Sequence, residues 1–406
     1  MLAATPTNPT FRTASPRELA TALRDARDYT LALFERLAEA GFDRPEQVPR
    51  IAIVNPPLWE LGHIAWFAEW YILREASSSH PSAAQCPSLL TMGDDWFDSN
   101  TVPHDARWTL GLPSAGALKT YCREVLDRAL DKLLRADADD RSLYPYRLAL
   151  AHEDMHGEAF AYTLQTLGVG APHELLRPSF AARGQGEIRF AGGTIELGCK
   201  PGAGFVFDNE KWAHPCYVPP FEMDASPVTN AQFTEFVDDG GYRNPRFWSA
   251  AGRDWLARQA GSPDGRHWPR YWRRDGGHWR VARFGQWMTL PPHEPVRHVS
   301  LFEAQAYCMW AERRLPTEAE WEFAALSGHP AYRWGDLWEW TCTPFEPYAG
   351  FEPDAYREYS APWFMTHQAV RGASFATRAR MRSPKYRNFY MPDRGDIFVG
   401  FRTCSW

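Results

Sequence analysis

Between Ser15 and Leu167 the apolar residues recur every three or four positions, the period of a helix that buries one face. Ser15 followed by Pro16 reads as an N-cap and first turn, and Leu19, Leu23, Leu33 and Leu37 supply the stripe behind it. The same period predicts helices over about 57–75, about 114–134, with Leu118, Tyr121, Val125 and Leu130 inward, and about 146–167. Four helices joined by one long connection, 76–113, predict a four-helix bundle. After the Gly-Val-Gly-Ala-Pro run at 168–172 the pattern changes. Gly, Pro and Trp become frequent, and short strand-like runs such as 188–198 replace helices. Only two helices are predicted there, over 230–237 and 301–313, and 243–290 reads as a long loop rich in Trp and Arg. The expectation is an α+β protein with two domains, 1–172 and 173–406.

Composition narrows the class. The 406 residues carry a formal charge of −6, which argues against a nucleic-acid partner, because phosphate binding needs a basic face. No apolar stretch approaches the roughly 18 residues of a membrane span. Met1 to Pro6 lacks a basic start followed by an apolar run, so no signal peptide is expected. The 7 cysteines are odd in number and scattered, without a CxxC pair, the usage of reduced cytoplasmic thiols.

The chemistry concentrates on three histidines. His152 and His156 stand at i, i+4, which stacks two imidazoles on one helical face, close enough to share an ion. His63 lies on the second predicted helix. Three neutral imidazoles leave half of an octahedral shell open for substrate and oxygen. Glu153, Asp154 and Glu158 are candidates to orient the ligand rings.

Six motifs in the second half resemble the formylglycine-generating-enzyme domain, a variant of the C-type-lectin-like fold. They are Pro-Val-Thr-Asn at 227–230, Pro-Val-Arg-His at 295–298, Arg-Leu-Pro-Thr-Glu-Ala-Glu-Trp-Glu at 314–322, Gly-Asp-Leu-Trp-Glu-Trp at 335–340, Val-Arg-Gly-Ala-Ser-Phe at 370–375 and Gly-Phe-Arg at 400–402. Most are read as scaffold, Glu320, Trp321 and Trp338 among them. The cysteine pair of copper-binding members is absent, since 376–392 holds no Cys. The first half resembles a DinB-like bundle. DinB-like followed by formylglycine-generating-like is the order of the iron-dependent hercynine-modifying synthases of ergothioneine and selenoneine biosynthesis.

That resemblance implies Fe(2+) held by His63, His152 and His156, with Glu158 closing an HxxxHxE run. It implies that 383–394 lines a hercynine pocket, with Phe389 and Tyr390 as aromatic walls for the quaternary ammonium, Asn388 beside the carboxylate, and Arg394 near by. A tyrosine serves the family as proton donor; Tyr348 is the first candidate here, with Tyr356 and Tyr359 as rivals. The chain departs from the ergothioneine pattern at 96–108, where a Tyr pair and carboxylate-clamping arginines are replaced by Asp98, Ser99, Asn100, His104, Asp105 and a single Arg107. Asp98, Asn100 and Arg107 are thus expected to meet a donor rich in hydroxyls, as in the selenoneine branch, whose donor is a selenosugar. The implied partners are small molecules (hercynine, a selenosugar and O2), with no nucleic acid and no membrane; oligomeric state is not legible. A thiol donor such as γ-glutamylcysteine is the alternative. A zinc-dependent DinB-like thiol transferase and a sugar-binding module are the alternatives from other classes.

Overall fold

The computed structural model describes residues 10–176, 178, 180, 186–261 and 267–406. Its first half is the bundle: α1 (Pro16–Glu39), α2 (Pro57–Ala68), α3 (Gly93–Phe97), α4 (Ala115–Leu133), α5 (Asp140–Leu167) and α6 (His173–Leu176). Helix α1 opens on a capping box between Ser15 and Glu18, with Pro16 in its first turn. Every residue of α2 is buried, so this helix has no solvent face, and it runs on as a π-helical turn over Glu69–Leu73. Helix α5 begins earlier than the expected start near 146: Asp139 caps it, and Pro145 lies inside the helix rather than opening it. Gly168, at φ 68°, ends α5 in the left-handed conformation that glycine adopts freely.

The second half contains β1 (Glu187–Phe190), β2 (Gly193–Leu197), β3 (His214–Val218), β4 (Phe221–Asp224), α7 (Asn230–Asp238), α8 (Ala250–Ala260), β5 (Trp272–Asp275), β6 (His278–Arg283), β7 (Gln286–Thr289), α9 (Leu301–Trp310), α10 (Glu318–Leu326), β8 (Trp338–Pro344), β9 (Gln368–Gly372), β10 (Arg387–Tyr390) and β11 (Val399–Gly400). The central sheet has the order β10-β9-β8-β11, with β11 parallel to β8 and the other pairs antiparallel. The pairs β1-β4 and β2-β3 form separate two-stranded sheets. The stretch 243–290 is not one loop: it forms α8 and the antiparallel meander β5-β6-β7. Helix α10 is also additional to the two expected helices, and a capping box between Thr317 and Glu320 starts it.

Short strands leave much backbone without a ladder, and buried side chains make up the difference. Arg371 bridges Glu318 and Glu322, Arg387 holds Glu318, and Arg402 grips Glu339, all in the interior. Trp321 Nε1 donates to Glu339 Oε2 at 2.9 Å. These anchors hold β8, β9 and β10, and therefore the wall that β10 presents to the bundle.

One apolar core runs through both halves. Phe11 packs on Phe205 at 5.4 Å between ring centroids. Beside it, buried Arg12 makes a two-pronged pair with buried Glu210, at 2.6 and 2.7 Å. Among the described residues no helix is long and apolar enough to cross a membrane. Removing one partner of a buried ion pair strands the other charge, at a cost of about 3–5 kcal/mol. Arg12→Met should therefore lower the thermal midpoint clearly in a calorimetric scan, and Arg12→Lys less so; an unchanged midpoint in Arg12→Met would show that the clamp contributes nothing to holding the halves together.

Candidate metal centre

Helices α2 and α5 bring the three histidines together. The ring centroids lie 5.0 Å (His63–His152), 5.1 Å (His63–His156) and 4.4 Å (His152–His156) apart. One ligand atom from each lies within 4.8 Å of the others. His63 Nδ1 sits 2.8 Å from the Phe97 carbonyl oxygen, and His156 Nδ1 sits 2.7 Å from Glu60 Oε1. Both partners are acceptors, which assigns the proton to Nδ1 in each ring and leaves Nε2 with a free lone pair. His152 is buried with neither ring nitrogen hydrogen-bonded, its ring stacked on Phe67 at 3.6 Å.

Burial, with the neighbouring imidazoles, pushes His63 and His152 well below the usual histidine range. They stay neutral at physiological pH, the state that ligates. A buried imidazole with two idle nitrogens is costly unless something binds it. The donor set therefore fits a metal ion, and three imidazoles suit iron, zinc and copper alike.

The residues expected to orient these rings are engaged elsewhere. Glu153 pairs with Arg27 at 2.7 Å, and Asp154 pairs with Arg380 at 2.7 Å. Glu158 accepts from Trp338 Nε1 (2.8 Å), Ser374 Oγ (2.6 Å) and Thr377 Oγ1 (2.7 Å). The orienting work falls to Glu60 and to the backbone of Phe97. Glu60 was legible in principle, as an acid three residues before His63 on an otherwise apolar helix.

A cavity of about 490 Å³ opens over His152 and His156, between the bundle and the β10 wall. Asn100, Arg107, Tyr356, Tyr359, Asn388, Phe389 and Tyr390, all named as site candidates, line it; His63 does not, and packs against the other two histidines. Three expected residues do not line it. Tyr348 is buried with its ring 4.0 Å from the Arg387 guanidinium and against His214. Asp98 turns inward, and its carboxylate accepts the Asn100 backbone N–H at 2.9 Å. Arg394 is paired with Asp396 at 2.6 Å and backs Tyr162 and Tyr390 from outside. Tyr162, Trp338, Glu358, Trp363 and Tyr386 also line the cavity and were not anticipated as site residues.

Two cavity groups have telling electrostatics. Tyr356, with its ring 5.9 Å from His152, has its phenol pushed up by burial and then by Glu358 and Asp98, so it keeps its proton. Arg107 is pushed down to about 10 by burial and still carries its charge at neutral pH. Its guanidinium lies 3.8 Å over Trp59 and donates to Asn55 Oδ1 at 2.7 Å.

A bundle carrying a buried three-histidine site, with a sulfatase-modifying-factor-like domain forming the opposite wall, defines the class. Residues 6–160 match the DinB superfamily, and residues 173–336 match the sulfatase-modifying factor enzyme 1-like domain. The chain is 32% identical over 448 aligned positions to hercynine oxygenase of Mycolicibacterium thermoresistibile, covering 95% of this chain and 94% of that protein. It is 32% identical over 445 positions to hercynine oxygenase of Mycolicibacterium smegmatis, covering 95% and 98%. The formylglycine-generating enzyme of Streptomyces coelicolor is 37% identical over 184 positions, covering 41% of this chain and 56% of that enzyme. The chain belongs to the hercynine oxygenase family.

If Glu60 orients His156, Glu60→Gln should weaken Fe(2+) or Co(2+) binding by about 10- to 100-fold while the fold persists. His152→Ala should abolish stoichiometric binding. Calorimetric titration of the metal-free protein measures both, and full binding by His152→Ala would remove that residue from the site.

Proposed function

We propose that this chain is a selenoneine synthase, coupling C2 of the hercynine imidazole to the selenium of a selenosugar with O2 as oxidant. The coupling balances as hercynine C–H plus donor Se–H plus O2, giving a C–Se(=O) product and one water. O2 takes four electrons, two from forming the C–Se bond and two from oxygenating selenium. Two external thiols, oxidised to a disulfide, then reduce the selenoxide: the selenium–sugar bond breaks, the sugar leaves with a hydroxyl in place of selenium, and the selenol product remains. Bound to His63, His152 and His156, Fe(2+) supplies the site at which O2 is reduced beside both substrates.

The protein's own part is positioning and proton handling. Phe389, Tyr390 and Tyr162 offer aromatic faces to a trimethylammonium, which has no proton to donate. Glu158, which reaches from α5 to three hydrogen-bond donors of the second domain, adds an acidic group to the lining. Asn388 Oδ1 accepts the Phe389 backbone N–H at 2.8 Å, which aims the amide nitrogen, a donor for the hercynine carboxylate. Tyr356 takes the proton-donor role, because it lines the cavity beside His152 and holds its proton, whereas Tyr348 lies outside the lining.

The observation that carries the donor choice is the state of Arg107. A dicarboxylate thiol calls for paired guanidiniums. Arg107 is the one arginine among the described lining residues, and it is already stacked on Trp59 and bonded to Asn55. No described residue of 243–290 lines the cavity, so that arginine-rich stretch supplies no second clamp. Ser99, Asn100 and His104 at the rim suit hydroxyl groups instead.

Side-by-side assays of Fe(2+)-reconstituted enzyme under air, with hercynine and either 1-selenoglucose or γ-glutamylcysteine, test the proposal. Turnover should favour the selenosugar by about a hundredfold or more, the effect of unpaired and repelled donor carboxylates. Efficient sulfoxide formation from γ-glutamylcysteine would move the chain to the sulfur branch, and activity with zinc in place of iron would replace the oxidative chemistry altogether. Phe389→Ala should raise KM for hercynine by about 5- to 30-fold and leave KM for the donor unchanged; equal use of histidine and hercynine by the parent enzyme would refute the ammonium pocket.

A further inference from the structure

We infer that Glu358 and Trp363 form the subsite that selects the donor, with the Glu358 carboxylate reading adjacent hydroxyls of a sugar ring and the Trp363 indole bearing its apolar face. The inference rests on the selenosugar reading and names the residues that would enforce it. Both side chains line the cavity over the histidines, and both come from the segment after Tyr356. Trp363 Nε1 donates to the Glu358 carbonyl oxygen at 2.9 Å, so the indole is held by the backbone of the residue whose carboxylate it accompanies. Its ring remains 41% exposed, a broad aromatic face at the cavity rather than in the core.

Glu358 carries the weight. Its Oε2 is shielded from solvent yet accepts no hydrogen bond, and the side chain makes no ion pair among the described residues. A carboxylate only accepts, so whatever satisfies it must bring hydrogen-bond donors. A trimethylammonium has none, and a dicarboxylate ligand would add like charge. Asp98 lies close enough to press on the same region electrostatically, which deepens its negative character. Hydroxyl groups, which donate without carrying charge, are the neutral chemistry that satisfies the Glu358 carboxylate. A flat sugar face with C–H groups on one side also matches an exposed indole better than a charged peptide does.

The test uses 1-thioglucose, titrated without oxygen into the Fe(2+)-bound, hercynine-loaded enzyme and followed by calorimetry, with γ-glutamylcysteine as the comparison. Glu358→Gln, which keeps shape and removes charge, should weaken the thiosugar about tenfold or more, the scale of a lost charge-assisted hydrogen bond. The same variant should bind γ-glutamylcysteine more tightly than the parent and keep the parent's hercynine affinity. Trp363→Ala should weaken the thiosugar alone. Thiosugar affinity unchanged in Glu358→Gln overturns the subsite and leaves the donor proposal standing. A parent enzyme that binds no thiosugar overturns both. Loss of hercynine affinity in Glu358→Gln would hand the carboxylate to the ammonium and overturn the subsite as well.

Discussion

The buried carboxylate of Glu158 is the contact on which the site depends. It projects from α5 two residues beyond His156 and accepts hydrogen bonds from Trp338, Ser374 and Thr377, all in the second domain. An ionised carboxylate away from water is costly unless its lone pairs are filled, so the three donors and the acid require one another. Burial pushes the Glu158 carboxyl up while these hydrogen bonds pull it down, and the net direction is up. The result is a fixed register between the helix that bears two histidines and the sheet that bears the β10 wall. Arg380 adds a second tie, to Asp154 at 2.7 Å and Asp25 at 2.6 Å. The cavity is thus a property of the junction and of neither domain alone.

Labour divides along that junction. The bundle contributes the three histidines and the groups that hold two of them, Glu60 for His156 and the Phe97 carbonyl for His63. The close approach of α2 to α3 is tight: a Cβ at Gly62 would meet the Phe97 ring at 2.2 Å. Glycine at 62 therefore lets Phe97 come near enough for its carbonyl to reach His63 one residue later. The second domain contributes aromatic and polar walls on short strands braced by buried arginines. This arrangement lets one wall be altered without disturbing the three histidines.

Much of this was legible in the chain. Helical spacing located the bundle helices because their inner faces are regular, and the i, i+4 pair with His63 named three histidines that the fold brings together. Other features escaped for physical reasons. The helix expected from about 146 starts earlier, because Asp139 caps the chain there and Pro145 is accommodated inside the helix. The β5-β6 hairpin turns on Gly276 and Gly277, at φ 55° and 85°, a two-glycine signal hidden among Trp and Arg. The capping box at Thr317 and Glu320 announced α10 to anyone reading caps rather than stripes. The sequence ranks Tyr348 ahead of Tyr356 and Tyr359, yet Tyr348 lies outside the cavity lining that holds the other two, since all three sit in irregular chain whose path only packing determines. Asp98 looked free in the sequence and is consumed by its own turn.

The proposed function requires hercynine to lie with its imidazole toward the three histidines and its ammonium toward Phe389 and Tyr390. Proton relaxation of hercynine in exchange with the Fe(2+)-loaded protein under anaerobic conditions, compared with the His152→Ala variant, measures this directly. The imidazole C–H protons should relax faster than the N-methyl protons in the parent, and the enhancement should vanish in the variant. Equal relaxation in the two proteins, or methyl protons relaxing fastest, would contradict it.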